Sequence, residues 1–448
     1  MLGERHIRTI LEGALAGCKE ASQAEAVLFT DDSALTRFAN NTIHQNVAER
    51  NSSLRVRAVV GKRIGVASTN SLEAQAIREA AESACAMARF SEENPDFISL
   101  PGPSGPVVSI AEAFSEGTAA TTPDQRAAAV TTMIRRAEAD RLTAAGAYRT
   151  ECGEVAVANS LGVFAYQAST SADVTLVVMG ETSSGYADSA ATAAAELDFE
   201  AIAGEACGRA VRGANPRELE PGEYEVVLEP YAVAEMLEYL SYCAFGATAM
   251  QEGRSFMAER RGQRVADPSI TIYDDGRDPR CLPLPFDFEG VPRQRVSLIE
   301  AGVARGPVYD SYTAAREGVA NTGHALPAPN PGGPEPGHLH LAPGSRSLPG
   351  LVASMARGLW VSRFHYVNTI QPLETIITGM TRDGVWLVEN GEVRYPVKNL
   401  RFSQNVLEAL STVRGIGRDL KLQRGWSGGS LVPALHLASF SFTGKTEF

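Results

Sequence analysis

The sequence predicts an α+β protein in two parts, a mixed helix-and-strand region over 1–218 and a β-rich region over 219–448. Three observations carry this. Up to residue 218, amphipathic helical stretches alternate with short apolar strand runs. Beyond it, mostly antiparallel strand runs are expected, broken by Gly, Pro and Asn. One prominent helical pattern stands early in the second part, at 231–244, with Val233, Met236, Leu237 and Leu240 at i, i+3, i+4 and i+7.

The elements follow in order. Residues 5–20 predict an amphipathic helix with Ile7, Ile10, Leu11, Ala14 and Leu15 on one face. Residues 26–30 and 54–60 read as strands, and a turn at 61–65 leads into a third at 66–69. A helix is expected from Asn70 as N-cap, with Glu73 three residues on, to about Arg89, turning Ile77, Ala81, Ala84 and Met87 inward. Residues 101–106 are a proline-glycine loop. Thr122-Pro123-Asp124-Gln125 forms a capping box with proline at the first helical position, and Ala129, Val130, Met133, Ile134 and Ala137 supply the inner face. Strands at 155–158, 163–167 and 174–179 and a helix at 199–211 follow. The stretch from Arg212 to Pro216, close to Pro221-Gly222, marks the main boundary; the first part could itself divide into 1–100 and 107–218. In the second part a strand at 224–228 precedes the prominent helix. Residues 385–395 form a hairpin whose Asn390-Gly391 suits a type I′ turn. Residues 326–337 are too proline-rich for a central strand, and no internal repeat is visible.

Composition narrows the function classes. With 448 residues and 44% hydrophobic side chains the chain can bury a large core unaided. A net charge of -12 argues against a nucleic-acid-binding face. The six cysteines are scattered without a C-x-x-C pair, which points to reduced thiols and a cytoplasmic protein. The N-terminal stretch is broken by charges, unlike a signal peptide, and no apolar run is long enough to cross a membrane.

Several blocks carry a family resemblance. They are Gly65-Val66-Ala67-Ser68-Thr69-Asn70, Ala158-Asn159-Ser160-Leu161-Gly162, and Asp287-Phe288-Glu289-Gly290-Val291-Pro292 leading into Leu298–Val303. Asn321-Thr322-Gly323-His324 and Tyr366-Val367-Asn368 follow. The sharpest is Thr378-Gly379-Met380-Thr381-Arg382-Asp383-Gly384-Val385, with Glu389-Asn390-Gly391-Glu392 and Pro396–Phe402 behind it. Val432-Pro433-Ala434-Leu435 and Phe442-Thr443-Gly444 close the series. In this order and spacing the chain resembles the TldD/PmbA family, also labelled modulators of DNA gyrase, and within it the TldE/PmbA-like subunit. The acidic balance gives no support to a DNA or gyrase role.

The resemblance implies a barrel-like β domain, a TldD-like catalytic partner, and an unfolded-peptide substrate in a groove between subunits. It also implies a zinc site in TldD, held by HExxxH on a helix and a C-terminal cysteine. The equivalent helix here has no histidine: the degenerate metal-helix positions are Glu235, Glu238, Tyr239 and Ala244. No cysteine follows Cys281, and the matching glycine-rich segment reads Gly425-Trp426-Ser427-Gly428-Gly429-Ser430. The expectation is therefore no cofactor in this chain, zinc in the partner, and a homodimer when the partner is missing.

Other readings stand beside this one. Glu235 and Glu238 could hold an ion or do acid–base work, or form a solvated face. His338-x-His340 could clamp a metal if on a strand. Cys243 could be a nucleophile in a stand-alone peptidase, or a buried small hydrophobe. His324, Asn368, Thr381, Arg382 and Asp383 are candidate peptide or partner contacts, with an Asp-Gly turn and ion pair as the alternative for the last three. A third function class is a peptide-binding regulator without catalysis.

Overall fold

The computed structural model describes residues 1–425 and 428–446. Its first part is one six-stranded antiparallel sheet, in the order β3-β2-β1-β4-β5-β6, built twice from the same series of elements. The first series is α1 (Glu4–Gly17), β1 (Gln23–Ala39), β2 (Thr42–Val60), β3 (Arg63–Thr69) and α2 (Ala74–Phe90). After the single turn α3 (Glu116–Ala119) comes the second: α4 (Pro123–Ala139), β4 (Thr143–Asn159), β5 (Phe164–Met179), β6 (Ser184–Ala191) and α5 (Phe199–Arg212). The halves join where β1 pairs with β4, in unbroken register from Glu25–Asn159 to Phe38–Gly146. A repeat invisible in the sequence is thus present in the fold.

Strand alternation sorts the two faces. Ala24, Ala26, Leu28 and Phe38 of β1 pack under the helices. Val27 and Phe29, between them, meet Phe286 and Phe288 of the second part on the other face. Polar residues such as Asp32, Arg50, Ser169 and Ser171 occupy the middles of β1, β2 and β5, so these strands run far past their apolar cores. The expected runs at 163–167 and 174–179 are one strand, and the small-residue strand β6 was not expected. Helix α2 begins at Ala74 with Glu73 as N-cap, not at Asn70, and Met87 is 53% exposed rather than inward. The capping box of Thr122 and Gln125 forms as expected.

The second part holds two sheets. One is ordered β10-β9-β8-β11-β18-β17: β8 (Ile272–Asp274), β9 (Val296–Glu300), β10 (Val303–Ala304), β11 (His338–Leu341), β17 (Lys421–Arg424) and β18 (Gly429–Val432). The other comprises β7 (Gly222–Leu228), β12 (Arg357–Gln371), β13 (Ile376–Glu389), β14 (Glu392–Pro396), β15 (Leu400–Asn405), β16 (Val413–Ile416) and β19 (Leu435–Lys445). In it β12 pairs with both β7 and β13, so β12, β7, β19, β15 and β13 close into a ring. Phe364, Phe402, Phe440 and Phe442 stack together from its strands. Asn390 and Gly391 both take positive φ, as the β13–β14 turn requires. Helix α6 (Pro230–Ala244) packs against β12 and β18, and its core residues join the largest apolar cluster. The short helices α7 (Ala247–Gln251) and α8 (Met257–Arg260) follow it, and α9 (Ser311–Glu317) comes later.

Two glycines set how closely helices approach the first sheet. A Cβ on Gly65 would lie 2.2 Å from the carbonyl oxygen of Ala84 in α2, and one on Gly185 would lie 2.0 Å from that of Ala206 in α5. Gly65→Ala and Gly185→Ala should each destabilise the chain by about 1–3 kcal/mol, because backbone rather than a side-chain tip must move. Gly13→Ala, on the open face of α1 with nothing within 4 Å, should instead stabilise by roughly 0.5–1 kcal/mol. Urea unfolding of the three variants checks both signs.

Candidate functional site

Helix α6 starts at Pro230 behind Glu229 and is buried nearly all round. Past Pro230, Glu235, Glu238, Tyr239 and Tyr242 are the helix residues that escape burial, and they recur at i, i+3, i+4 and i+7. Its first three members, Glu235, Glu238 and Tyr239, open onto a cavity of about 240 Å³ lined also by Tyr186, Asp188, Tyr231 and Arg363. A larger cavity of about 970 Å³ lies elsewhere, between α2 and α9. There Glu289 accepts from Arg57 and the Ser311 amide, and Asp310 caps α9, so its acids are already engaged. The chemistry concentrates at α6.

A polar network holds the smaller cavity. Arg209 of α5 bonds Glu229, just ahead of α6, pairs with Glu205 at 2.7 Å, and donates to the Tyr186 carbonyl. The Tyr231 hydroxyl donates to Glu205 at 2.8 Å and accepts from Lys421. Gln423 donates to Asp188 at 2.9 Å, and Arg424 pairs with Glu151 and Asp173. Burial pushes the Tyr186 and Tyr231 phenols up, so both stay protonated. Burial also acts to raise Glu205, but Arg209 and Lys421 outweigh it and hold the carboxyl below the usual range.

Glu235 differs from these. Burial pushes it up to about 7; Arg363 across the cavity pulls it down and Glu238 pushes it further up. Arg363 lies over the Tyr186 ring at 4.0 Å and is held by Asp383, whose other oxygen accepts from Ser184. Asp383 and Gly384 form a bulge in β13, with φ of 56° and 139°.

The structure brings Glu235, Glu238 and Tyr239 together and scatters the rest. Tyr239 donates its hydroxyl to the Val367 carbonyl. Ala244 is buried in the core beyond the cavity. Asp383 sits behind the cavity as the anchor of Arg363 rather than as a surface contact, which is the ion-pair alternative. Thr381 is fully buried and accepts from the Leu400 amide at 2.9 Å, so it joins β13 to β15. Arg382 is half-buried, and Asn368 is exposed near the end of β12.

His324 is fully buried too, with Nε2 at 2.9 Å from Asp274. Burial acts to raise Asp274, but His324 and His338 outweigh it and hold the carboxyl down at about 2. His338 and His340 do lie on a strand, as a clamp would need. However, His338 bonds the Leu282 carbonyl, His340 bonds the His338 carbonyl, and among the described residues no three metal-binding side chains converge. Cys243 is buried, raised by that burial, and contacts Thr369 at 3.4 Å; among the described residues no histidine bonds it, as a nucleophile would require. Trp426 and Ser427, in the glycine-rich segment, lie outside the described residues.

Sequence reasoning missed Arg363, Tyr186, Asp188 and Lys421. Arg363 alone left a trace, as a cation in the interior of β12 next to Phe364. The donors at α6 do not fit zinc. The carboxylates Glu235, Glu238 and Asp188 share the cavity with the Arg363 and Arg424 guanidiniums, which oppose a further cation, and among the described residues no imidazole or thiolate lines it. The site offers hydrogen-bond donors and acceptors and charges of both signs.

Comparisons with known proteins bear on the family and the fold. Models described as PmbA/TldA metallopeptidase domain 1, central domain and C-terminal domain match residues 24–88, 115–214 and 221–444. A metalloprotease of Methanothermobacter thermautotrophicus is 27% identical over 215 residues, 47% of this chain and 46% of that protein, so the match spans about half of either. Metalloprotease PmbA of Escherichia coli is 23% identical over 97% of this chain and 96% of its own. The crystal structure of TldE from Thermococcus kodakarensis superposes with a TM-score of 0.89 at 23% identity, over 98% of this chain and 100% of that one.

Glu235 should make stability fall as pH rises. Its folded carboxyl titrates at about 7, above the ordinary 4.5, so between those values the folded chain keeps a proton that the unfolded chain has released. The groups around it are Glu238 and Tyr239 on α6, Arg363 on β12, Asp383 on β13, Tyr186 and Asp188 on β6, and Arg424 on β17. Glu235→Gln should match the wild type at about pH 4.5 and be more stable by on the order of 1 kcal/mol at about pH 8. Denaturant titrations at the two pH values read the difference.

Proposed function

The chain belongs to the PmbA/TldD metallopeptidase family, and from that premise we propose that it is a TldE-like, non-catalytic subunit of a two-subunit zinc peptidase. The substrates are unfolded peptides or leader sequences, and the setting is the cytoplasm. The observation that carries the reading is α6, where Glu235, Glu238 and Tyr239 face Arg363 in place of a metal-binding set. Without a metal-activated water or an accessible nucleophile this chain has no evident means of peptide hydrolysis alone. A histidine-bearing TldD-like partner supplies the zinc, and the peptide lies between the subunits. The likeness to TldE of Thermococcus kodakarensis supports the fold on which this role rests. Among the described residues no helix is long and apolar enough to cross a membrane.

The alternative of a peptide-binding regulator shares the same cavity and differs only in lacking a peptidase partner. Co-purification from the native host separates the two. The expected result is a heterodimer with a zinc-bearing chain, and a homodimer when that chain is withheld. The purified chain should retain no stoichiometric zinc after dialysis and should leave unfolded casein intact, whereas the reconstituted pair cuts it. About one zinc per isolated chain, or casein cleavage by this chain alone that Cys243→Ala abolishes, would reject the proposal.

A further inference from the structure

Two opposite charges in the α6 cavity do not meet. Glu235 makes no hydrogen bond and no ion pair among the described residues, although burial has stripped it of much of its water. Arg363 spends Nε and Nη2 on Asp383, and its Nη1 has no hydrogen-bond partner among the described residues. Asp383 fixes the guanidinium from behind, and the Tyr186 ring lies against its face at 4.0 Å. A carboxylate left in this state costs stability, because its lost hydration is not replaced. A side chain that weakens the fold while facing an open cavity is suited to an external partner.

The pair selects the partner's chemistry. A lone cation would satisfy Glu235 but be repelled by Arg363. A lone anion would satisfy Arg363 but meet Glu235 and Glu238. A neutral dipole with an acceptor on one edge and a donor on the other satisfies both at once. The peptide unit is such a group. The cavity of about 240 Å³ suits one residue of an extended chain and excludes a folded segment.

We propose that the slot between Glu235 and Arg363 holds one peptide unit of an unfolded chain, Arg363 Nη1 donating to its carbonyl oxygen and Glu235 accepting from its N–H. The inference rests on the peptide-handling role above and assigns residues to it. Recognition of backbone alone explains how a subunit tolerates many sequences yet demands an unfolded one. A side-chain amide of Asn or Gln carries the same two edges, so the probe must lack both.

The test uses the full chain and a fluorescein-labelled, unstructured decapeptide of Ala, Ser, Gly and Thr, with binding read by anisotropy. Glu235→Leu and Arg363→Lys should each weaken binding about tenfold. The lysine keeps a cation for Asp383 and the leucine removes an uncompensated charge, so both variants are built to fold, and thermal melts verify this. Methylating the peptide's backbone nitrogens one at a time should weaken wild-type binding at one position and leave Glu235→Leu binding unchanged at that position. Equal affinity for the wild type and both variants overturns the slot, as does an absence of wild-type binding at millimolar peptide. Partner capture is measured on the same proteins. If it persists while the slot fails, the subunit role stands without the slot; a wild-type chain that captures no histidine-bearing partner refutes the subunit role, while the anisotropy data still decide the slot.

Discussion

The arrangement of the site depends on one buried guanidinium. Arg209, 3% exposed, reaches Glu229 at the head of α6, Glu205 one turn back on its own helix, and the Tyr186 carbonyl on β6. It thereby fixes a helix and a strand of the first part to the start of a helix in the second. Removing one partner of such a buried pair generally costs about 3–5 kcal/mol, because the other charge is left without compensation. Tyr231, the second residue of α6, lies against the same group, and Lys421 reaches it from β17. The cavity beside α6 is the space left when these elements are drawn together.

That origin explains the character of the cavity. Its walls come from β6, α6, β12 and β17, so it lies on the seam between the two parts. Along that seam polar groups are matched almost one to one: Gln423 with Asp188, Arg424 with Glu151 and Asp173, Ser184 with Asp383. Burial leaves the Tyr186 and Tyr231 phenols protonated, while at Glu151 burial acts upward but Arg424 outweighs it and holds the carboxyl below its usual range. Glu235 stands outside it and keeps a proton affinity near neutrality. In the proposed slot a ligand is held by complementary edges.

The sequence made some of this legible and concealed the rest for physical reasons. The buried side of α6 was readable because Val233, Met236, Leu237 and Leu240 keep helical spacing, and the stripe containing Glu235, Glu238 and Tyr239 is its complement. The capping box at Thr122 and the Asn390-Gly391 turn were readable because each is local chemistry. The full lengths of β1 and β2 were not, since residues such as Asp32 and Arg50 are polar and continue the strands by pairing with each other. Asn70 has good N-cap chemistry but lies too far ahead of α2, whose first turn begins behind Glu73. Arg363 was hidden because its role depends on Asp383, twenty residues away and reached only when β12 pairs with β13. His324 and Thr381 stand in the blocks that carry the family likeness, yet both are buried supports, which the likeness by itself does not distinguish from contacts.

The duplicated first part also has a mechanical meaning. Its halves are equivalent in construction but carry unequal loads. The first is tied to the second part through Arg57 and Glu289, the other through Arg209 and Glu229. Between these ties runs the unbroken β1–β4 register. A beam of continuous backbone bonds resists bending far more than a loop does. The two ties are therefore held at a fixed spacing by one continuous ladder of backbone bonds, and the second part is gripped at two separated points by a single sheet.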